Sequence, residues 1–254
     1  MLALARSGVG EGVWLRAERQ LSGRGRMGRE WVSPVGNFYG STVVRLRPTD
    51  PAPATLALLA AVALEEAVST FLHPGEGRGP GGKAVETARN ANQPPLSQLG
   101  PGLRRGGAGG VLHLKWPNDL LFEGAKLSGI LLERADDAVV VGIGVNLAHH
   151  PDLPDRPSTS LAAHRTPVDP TQFAETLAET FARWLSRWRS EGLAPIRQRW
   201  LDRAHPIGTA LTARLPDGTV HDGLFDGLDA DGALILRLAD GERRVIHAAD
   251  VFLI

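Results

Sequence analysis

Arg24, Arg26 and Arg29 alternate with Gly23, Gly25 and Gly28 and are followed at once by Trp31, in the stretch QLSGRGRMGREWVSPVGNFYGS from Gln20 to Ser41. Glycines let a backbone bend closely around a ligand and offer its N–H groups, and guanidinium forks match the oxygens of a phosphoryl group. An indole alongside can stack on a flat heterocycle. Taken alone, the stretch also fits a solvated basic turn beside a core tryptophan. It contains a G-x-G-x-x-G match as well, from Gly23 to Gly28. A dinucleotide-binding turn would need a helix opening at the last glycine and an acid roughly 20 residues further on. Pro34 and Gly36 oppose that helix, and Asp50 sits in a Pro-Thr-Asp-Pro turn, so the nicotinamide reading is rejected.

A second set of polar residues follows. Lys115 and Asn118-Asp119, then Lys126, then Asn146 each stand at one end of an apolar run, in VLHLKWPNDLLF, KLSGILLE and AVVVGIGVN. Polar groups at the ends of buried strands commonly line a cleft. Asn118 and Asp119 also suit a turn, and Lys126 a solvated strand start. The adjacent His149 and His150 make poor metal ligands and are assigned to a loop. Gly77 to Lys83 imitates a phosphate-binding loop, but Ala84 stands where a hydroxyl would hold magnesium, and no strand precedes it.

The elements that must position these groups are legible in outline. The chain has 254 residues, enough for one full core with or without a small appendage. Its formal net charge is zero, which gives no global pull towards nucleic acid or a membrane, and it has no cysteine, which excludes disulfides and zinc–cysteine sites. The longest clearly apolar run, Ala54 to Leu64, is too short to span a bilayer, and a cytoplasmic protein is expected. Strands are predicted at Val13–Ala17 and Phe38–Leu46, and helices over Pro51–Leu72, Pro170–Gly192 and Pro195–Ala204. The residues from Pro74 to Gly110 are rich in glycine and proline and hold no aromatic residue, so a flexible surface insertion is predicted there. Beyond Pro206, short runs separated by Asp-Gly turns predict a small antiparallel barrel.

Four segments in this order resemble the biotin–protein ligase family: GRGRMGREWVSP from Gly23, KWPND from Lys115, KLSGILLE from Lys126 and GIGVN from Gly142. The resemblance implies an α+β fold, with a mixed sheet and flanking helices like that of class II aminoacyl-tRNA synthetases. A catalytic domain would occupy residues 1–204, with the insertion at 74–110, and an SH3-like barrel residues 205–254. It implies attack of the biotin carboxylate on the α-phosphorus of ATP, then transfer of biotin from biotinyl-5′-adenylate to a lysine of a biotin carboxyl carrier protein. By the same carry-over Lys126 and Arg26 would be catalytic. Gln20, Gly23, Arg24, Gly25, Arg26 and Lys126 would bind biotin. Arg24, Arg26, Arg29, Trp31, Asn118, Asp119 and Asn146 would bind ATP and the adenylate. Magnesium would arrive with ATP, near Asp119 if the protein ligates it at all.

Members of the family usually carry an upstream Ser-Thr-Asn stretch that binds biotin, and Met1 to Arg19 contains none. There is also no room for the N-terminal DNA-binding domain of bifunctional members, so a repressor activity, and with it a nucleic-acid partner, is not expected; a homodimer is open. Two other readings stand beside the ligase. A lipoate or octanoyl transferase would share the fold but lacks the arginine loop with Trp31 and the KWPND segment. An inactive module would keep adenylate or carrier affinity without turnover.

Overall fold

The computed structural model describes residues 1–72, 110–153, 156–164 and 167–254, so the glycine-rich tract and its phosphate-loop imitation lie outside the described residues except for Gly110. The chain builds α1 (Leu2–Arg6), β1 (Trp14–Ala17), β2 (Phe38–Arg45), α2 (Leu56–Leu72), β3 (Leu112–Lys115), β4 (Asp119–Phe122), β5 (Ala125–Ala135), β6 (Ala138–Val145), α3 (Pro170–Glu191) and α4 (Ala194–Leu201). Then follow β7 (Ala210–Arg214), β8 (Val220–Leu228), β9 (Leu234–Arg237), β10 (Arg243–Ile246) and β11 (Asp250–Leu253). The first six strands form one sheet in the order β1-β2-β6-β5-β4-β3, and the last five a second in the order β10-β9-β8-β7-β11. Every pairing of named strands is antiparallel. Among the described residues, the mixed character expected of the large sheet is confined to two isolated parallel bridges, Leu114 with Ala204 and Lys126 with Ser158. Both tie the sheet to segments that follow it.

Alternation along β6 sorts its residues between two faces. Val139, Val141, Ile143 and Val145 join the main core under the helices, whereas Val140, Gly142 and Gly144 point to the other side. Antiparallel register then brings Ser41 of β2 and Leu131 of β5 beside Gly142, and Gly129 beside Gly144. The centre of the second face is thus floored by glycine and left low. Its far end is closed by α1, where Ala5 packs on Val43, Ala135, Ala138 and Val140.

The helix side holds α2 and α3. Asp169 caps α3 by accepting from the N–H groups of Thr171 (2.7 Å) and Gln172 (3.0 Å), and Pro170 sits where no intrahelical donor is needed. Phe173, Leu177, Phe181, Trp184, Leu185 and Trp188 recur on one face and are buried. Helix α2 is apolar nearly all round. With the preceding turn it runs 20 residues, Pro53–Leu72, at mean hydropathy 1.7, which by length alone would cross a bilayer. The sequence expectation of a run too short to span is therefore corrected in length, since the helix continues through Glu65 and Glu66 to Leu72. Its apolar surface is nonetheless spent on the core, and its one fully buried acid, Glu65, pairs with Arg199 (2.7 Å) and Arg203 (3.4 Å).

The small sheet is seated firmly on the large one. Trp116 Nε1 donates to the carbonyl of Gly232 (3.2 Å), and Arg197 Nε to that of Leu228 (3.0 Å). Near this seam His205 stacks on His113, centroids 5.1 Å apart, and the buried His205 Nε2 has no hydrogen-bond partner among the described residues. Burial first, then the nearby His113 and Lys115, push the His205 pKa down to about 4, so the ring is neutral at pH 7. An unfolded imidazole binds its proton near 6.5, so the unfolded state takes up more protons between these values. Stability should fall as pH drops from about 6.5 towards 4. A urea midpoint measured across that range should show a shallower slope in His205→Gln; an unchanged slope would remove His205 from the acid sensitivity.

Candidate functional site

The residues from Gly23 to Trp31 fold as a tight hairpin. Gly25 N–H donates to the Arg29 carbonyl (2.7 Å) and Trp31 N–H to that of Gly23 (3.0 Å), with Arg24 bridged to Glu30. The turn itself puts Met27 (φ 55°) and Gly28 (φ 72°) in the left-handed region, where a side chain is costly and glycine is free. Only a short 3-10 turn, Arg26–Gly28, forms there, which bears out the rejection of a dinucleotide helix.

The hairpin leans over the glycine floor and encloses a cavity of about 630 Å³ lined by Gln20, Arg24, Gly25, Arg26, Arg29, Trp31, Lys115, Asn118, Asp119, Lys126 and Asn146, among others. All the sequence-predicted site residues except Gly23 therefore line one space. Gly23 sits behind it, so close to the Trp31 carbonyl, Ser33 Oγ and Gln20 Oε1 that a Cβ would not fit. Trp31 lies flat on the sheet. A Cβ on Gly144 would stand 2.8 Å from the indole, and one on Gly129 would stand 3.2 Å from it. Lys126 Nζ is 5.7 Å from the ring centroid, and the buried indole N–H has no hydrogen-bond partner among the described residues. An orphaned donor beside an open cavity is one that a ligand can satisfy.

The lysine at the centre is held by Asp119. Lys126 Nζ is 2.6 Å from one oxygen of that carboxylate and Lys115 Nζ 3.4 Å from the other. Burial alone would push the Asp119 pKa up, but Lys126 and then Lys115 outweigh it and hold the carboxyl below its ordinary value. Burial also pulls the Lys115 ammonium down, against Asp119. Asp119 opens β4 as a buried side chain, so the reading of it as a turn former is corrected. Of the two oxygens of Asp119, where magnesium was expected if the protein ligates it, one faces Lys126 and the other Lys115. Among the described residues no three acidic or histidine side chains cluster to hold a metal.

Asn118 and Asn146 are fixed by backbone contacts. Asn118 Nδ2 donates to the Ile130 carbonyl (2.7 Å), which leaves Oδ1 facing Arg26 at 3.5 Å. Asn146 Nδ2 donates to the Thr159 carbonyl (3.0 Å). Residues 156–160 run as a strap that also pairs with Lys126, whose N–H donates to Pro157 O while its carbonyl accepts from Thr159 N (2.9 Å each). His164 Nε2 lies 2.7 Å from Thr159 Oγ1 and backs the strap.

Sequence reasoning missed the contribution of the small sheet. Arg26 donates to the carbonyl of Ala249 (3.1 Å), and Arg29 Nη2 lies 2.9 Å from Asp250 Oδ1, which is also 3.8 Å from Arg26. Strand β11, which carries Asp250, was not anticipated because no Asp-Gly turn precedes it. Its only signal was the short apolar run Val251-Phe-Leu-Ile254 at the end of the sequence. Asp250→Ala should free the hairpin; if Arg26 and Arg29 hold a nucleotide, as the resemblance implies, KM for it should rise by roughly tenfold, which is about 1.4 kcal/mol. Steady-state kinetics at fixed ionic strength checks this. An unchanged KM would make the contact incidental.

Comparison with known proteins gives a consistent picture. Residues 12–147 match the model of the biotin/lipoate A/B protein ligase family, and residues 207–254 that of the biotin protein ligase C-terminal domain. The biotin–[acetyl-CoA-carboxylase] ligase of Paracoccus denitrificans is 39% identical over 96% of this chain and 92% of its own length. The bifunctional ligase/repressor BirA of Bacillus subtilis is 32% identical over 98% of this chain and 68% of its own length. Among solved structures, the biotin protein ligase from Aquifex aeolicus in complex with biotin and ATP superposes with a TM-score of 0.76 at 20% identity, covering 99% of this chain and 94% of that one.

Proposed function

Since this chain belongs to the biotin protein ligase family, we propose that it joins biotin, with consumption of ATP, to a lysine of a biotin carboxyl carrier protein through biotinyl-5′-adenylate. The observation that carries the reading is the single cavity in which Arg26, Lys126 and Trp31 meet over a glycine floor. Residues 1–204 are taken as the catalytic unit and residues 205–254 as the small domain that completes it. The reaction belongs with cytoplasmic ATP.

In the first step a biotin carboxylate oxygen bonds to the α-phosphorus and pyrophosphate leaves. Two anions must be brought together, and the geometry supplies cations rather than a base. Lys126 sits between the carboxylate and the α-phosphate, Arg24 and Arg26 hold the phosphate, and Arg29 follows the nucleotide. Such groups work by positioning and by electrostatic stabilisation where water is excluded. Trp31 flanks the adenine, Asn146 contacts the nucleotide, and Gln20 with the backbone of Gly25 receives biotin, while Gly23 behind them lets the hairpin close on the Trp31 backbone. Asn118 supports Arg26, and Asp119 acts through the lysines. Magnesium would accompany ATP as the counter-ion of its phosphates and would offset their charge as the two anions meet. In the second step the carrier amine attacks the mixed anhydride, an amide forms, and AMP leaves with the electron pair of the broken C–O bond.

The test is transfer of labelled biotin to a carrier domain by the purified chain. Label should appear on the carrier only with magnesium and ATP. No transfer, or transfer without ATP, would overturn the reading.

A further inference from the structure

We propose that Lys115 is a positioning residue that takes over the charge of Asp119 when Lys126 turns to the substrates. The inference rests on the ligase reading above and deepens it. Asp119 is 6% exposed, and two lysines converge on it, with side chains only 14% (Lys115) and 16% (Lys126) exposed. One counter-charge would satisfy one carboxylate. The two contacts are unequal: Lys126 is drawn close at 2.6 Å, whereas Lys115 stands off at 3.4 Å with room to close.

The inequality acquires a meaning once substrates arrive. Lys126 must then give its charge to a carboxylate and a phosphate, and whatever it gives is withdrawn from Asp119. A buried carboxylate stripped of its partner is strongly destabilised. That penalty would fall on the substrate complex and hold Lys126 back. Arg26, whose charge also acts towards Asp119, is already committed to Asp250 and the Ala249 carbonyl. Lys115, at the end of β3 and across the same carboxylate, is placed to close on Asp119 as Lys126 leaves. It needs no contact with the substrates to act.

The experiment is biotin-dependent exchange of labelled pyrophosphate into ATP, which reads adenylation without the carrier. Lys115→Met should lower the exchange rate by roughly tenfold or more, and Lys115→Arg should stay within about threefold of the unaltered chain. The decisive comparison uses Asp119→Asn, which removes the charge to be balanced. In that background, deletion of Lys115 should change exchange by less than roughly threefold. A further tenfold loss there would mean that Lys115 acts on the substrates directly and would overturn the proposal. Exchange by Lys115→Met within threefold of the unaltered chain would overturn it too. If Lys115→Met does not fold, the pair in the Asp119→Asn background decides alone, since neither member holds an unbalanced carboxylate. Absence of exchange in the unaltered chain would sink the ligase reading and the hand-over with it, whereas loss confined to the variants bears on the hand-over only.

Discussion

Lys126→Ala should abolish adenylate formation, with biotin-dependent pyrophosphate exchange reduced by a factor on the order of 10² to 10³ or more. The ammonium lies beside Gly129 of the sheet floor and over the face of Trp31, at 5.7 Å from the ring centroid. No neighbour replaces it in a bond-forming step between two anions. The protein should remain folded, because Asp119 keeps Lys115 as a partner. Thermal unfolding of the variant would separate loss of chemistry from loss of structure. Lys126→Arg should fail nearly as badly, since a planar fork does not fit where a compact ammonium is held 2.6 Å from a buried carboxylate. Exchange within tenfold of the unaltered chain would remove Lys126 from the mechanism.

The second large effect is expected at a residue with no side chain. Gly144→Ala places a methyl group about 2.8 Å from the Trp31 indole, closer than carbon atoms approach without displacement, so the ring must lift from the floor. Affinity for ATP should drop by roughly tenfold or more, as binding loses a positioned stacking partner worth about 1–3 kcal/mol. The double variant distinguishes this from a distorted strand. With Trp31→Ala already in place, the further cost of Gly144→Ala should nearly vanish, because the two changes remove one and the same contact. Independent, additive losses would show that Gly144 matters for the sheet and not for the indole.

Much of this was legible in the residues. The arginine hairpin, the three polar-ended strands and the aromatic face of α3 were each carried by a local pattern: glycine alternation, apolar runs and helical spacing. Other features lay beyond local patterns. Asp119 was placed among the cleft residues but suited a turn equally well, because its burial depends on two lysines converging from β3 and β5. The glycine floor was invisible because Gly129, Gly142 and Gly144 become one surface only through antiparallel register. The strap at residues 156–160 has no periodicity at all; it is held by backbone hydrogen bonds to Lys126, which no side-chain pattern announces. Asp250 lies 221 positions from Arg29, and nothing in either neighbourhood points to the other.

That last contact has a bearing on how such proteins can be altered or recombined. The arginine hairpin over the cavity is braced from residues more than 200 positions away, by the Ala249 carbonyl and the Asp250 carboxylate. The small barrel is therefore a part of the cavity wall, through Asp250, Val251 and Phe252, rather than a tail attached to it. A chimera that borrows this barrel from a relative inherits the brace along with it. Hairpin and barrel form a matched pair that must travel together, and a graft respecting only the visible boundary between the two sheets would separate a lock from its bolt.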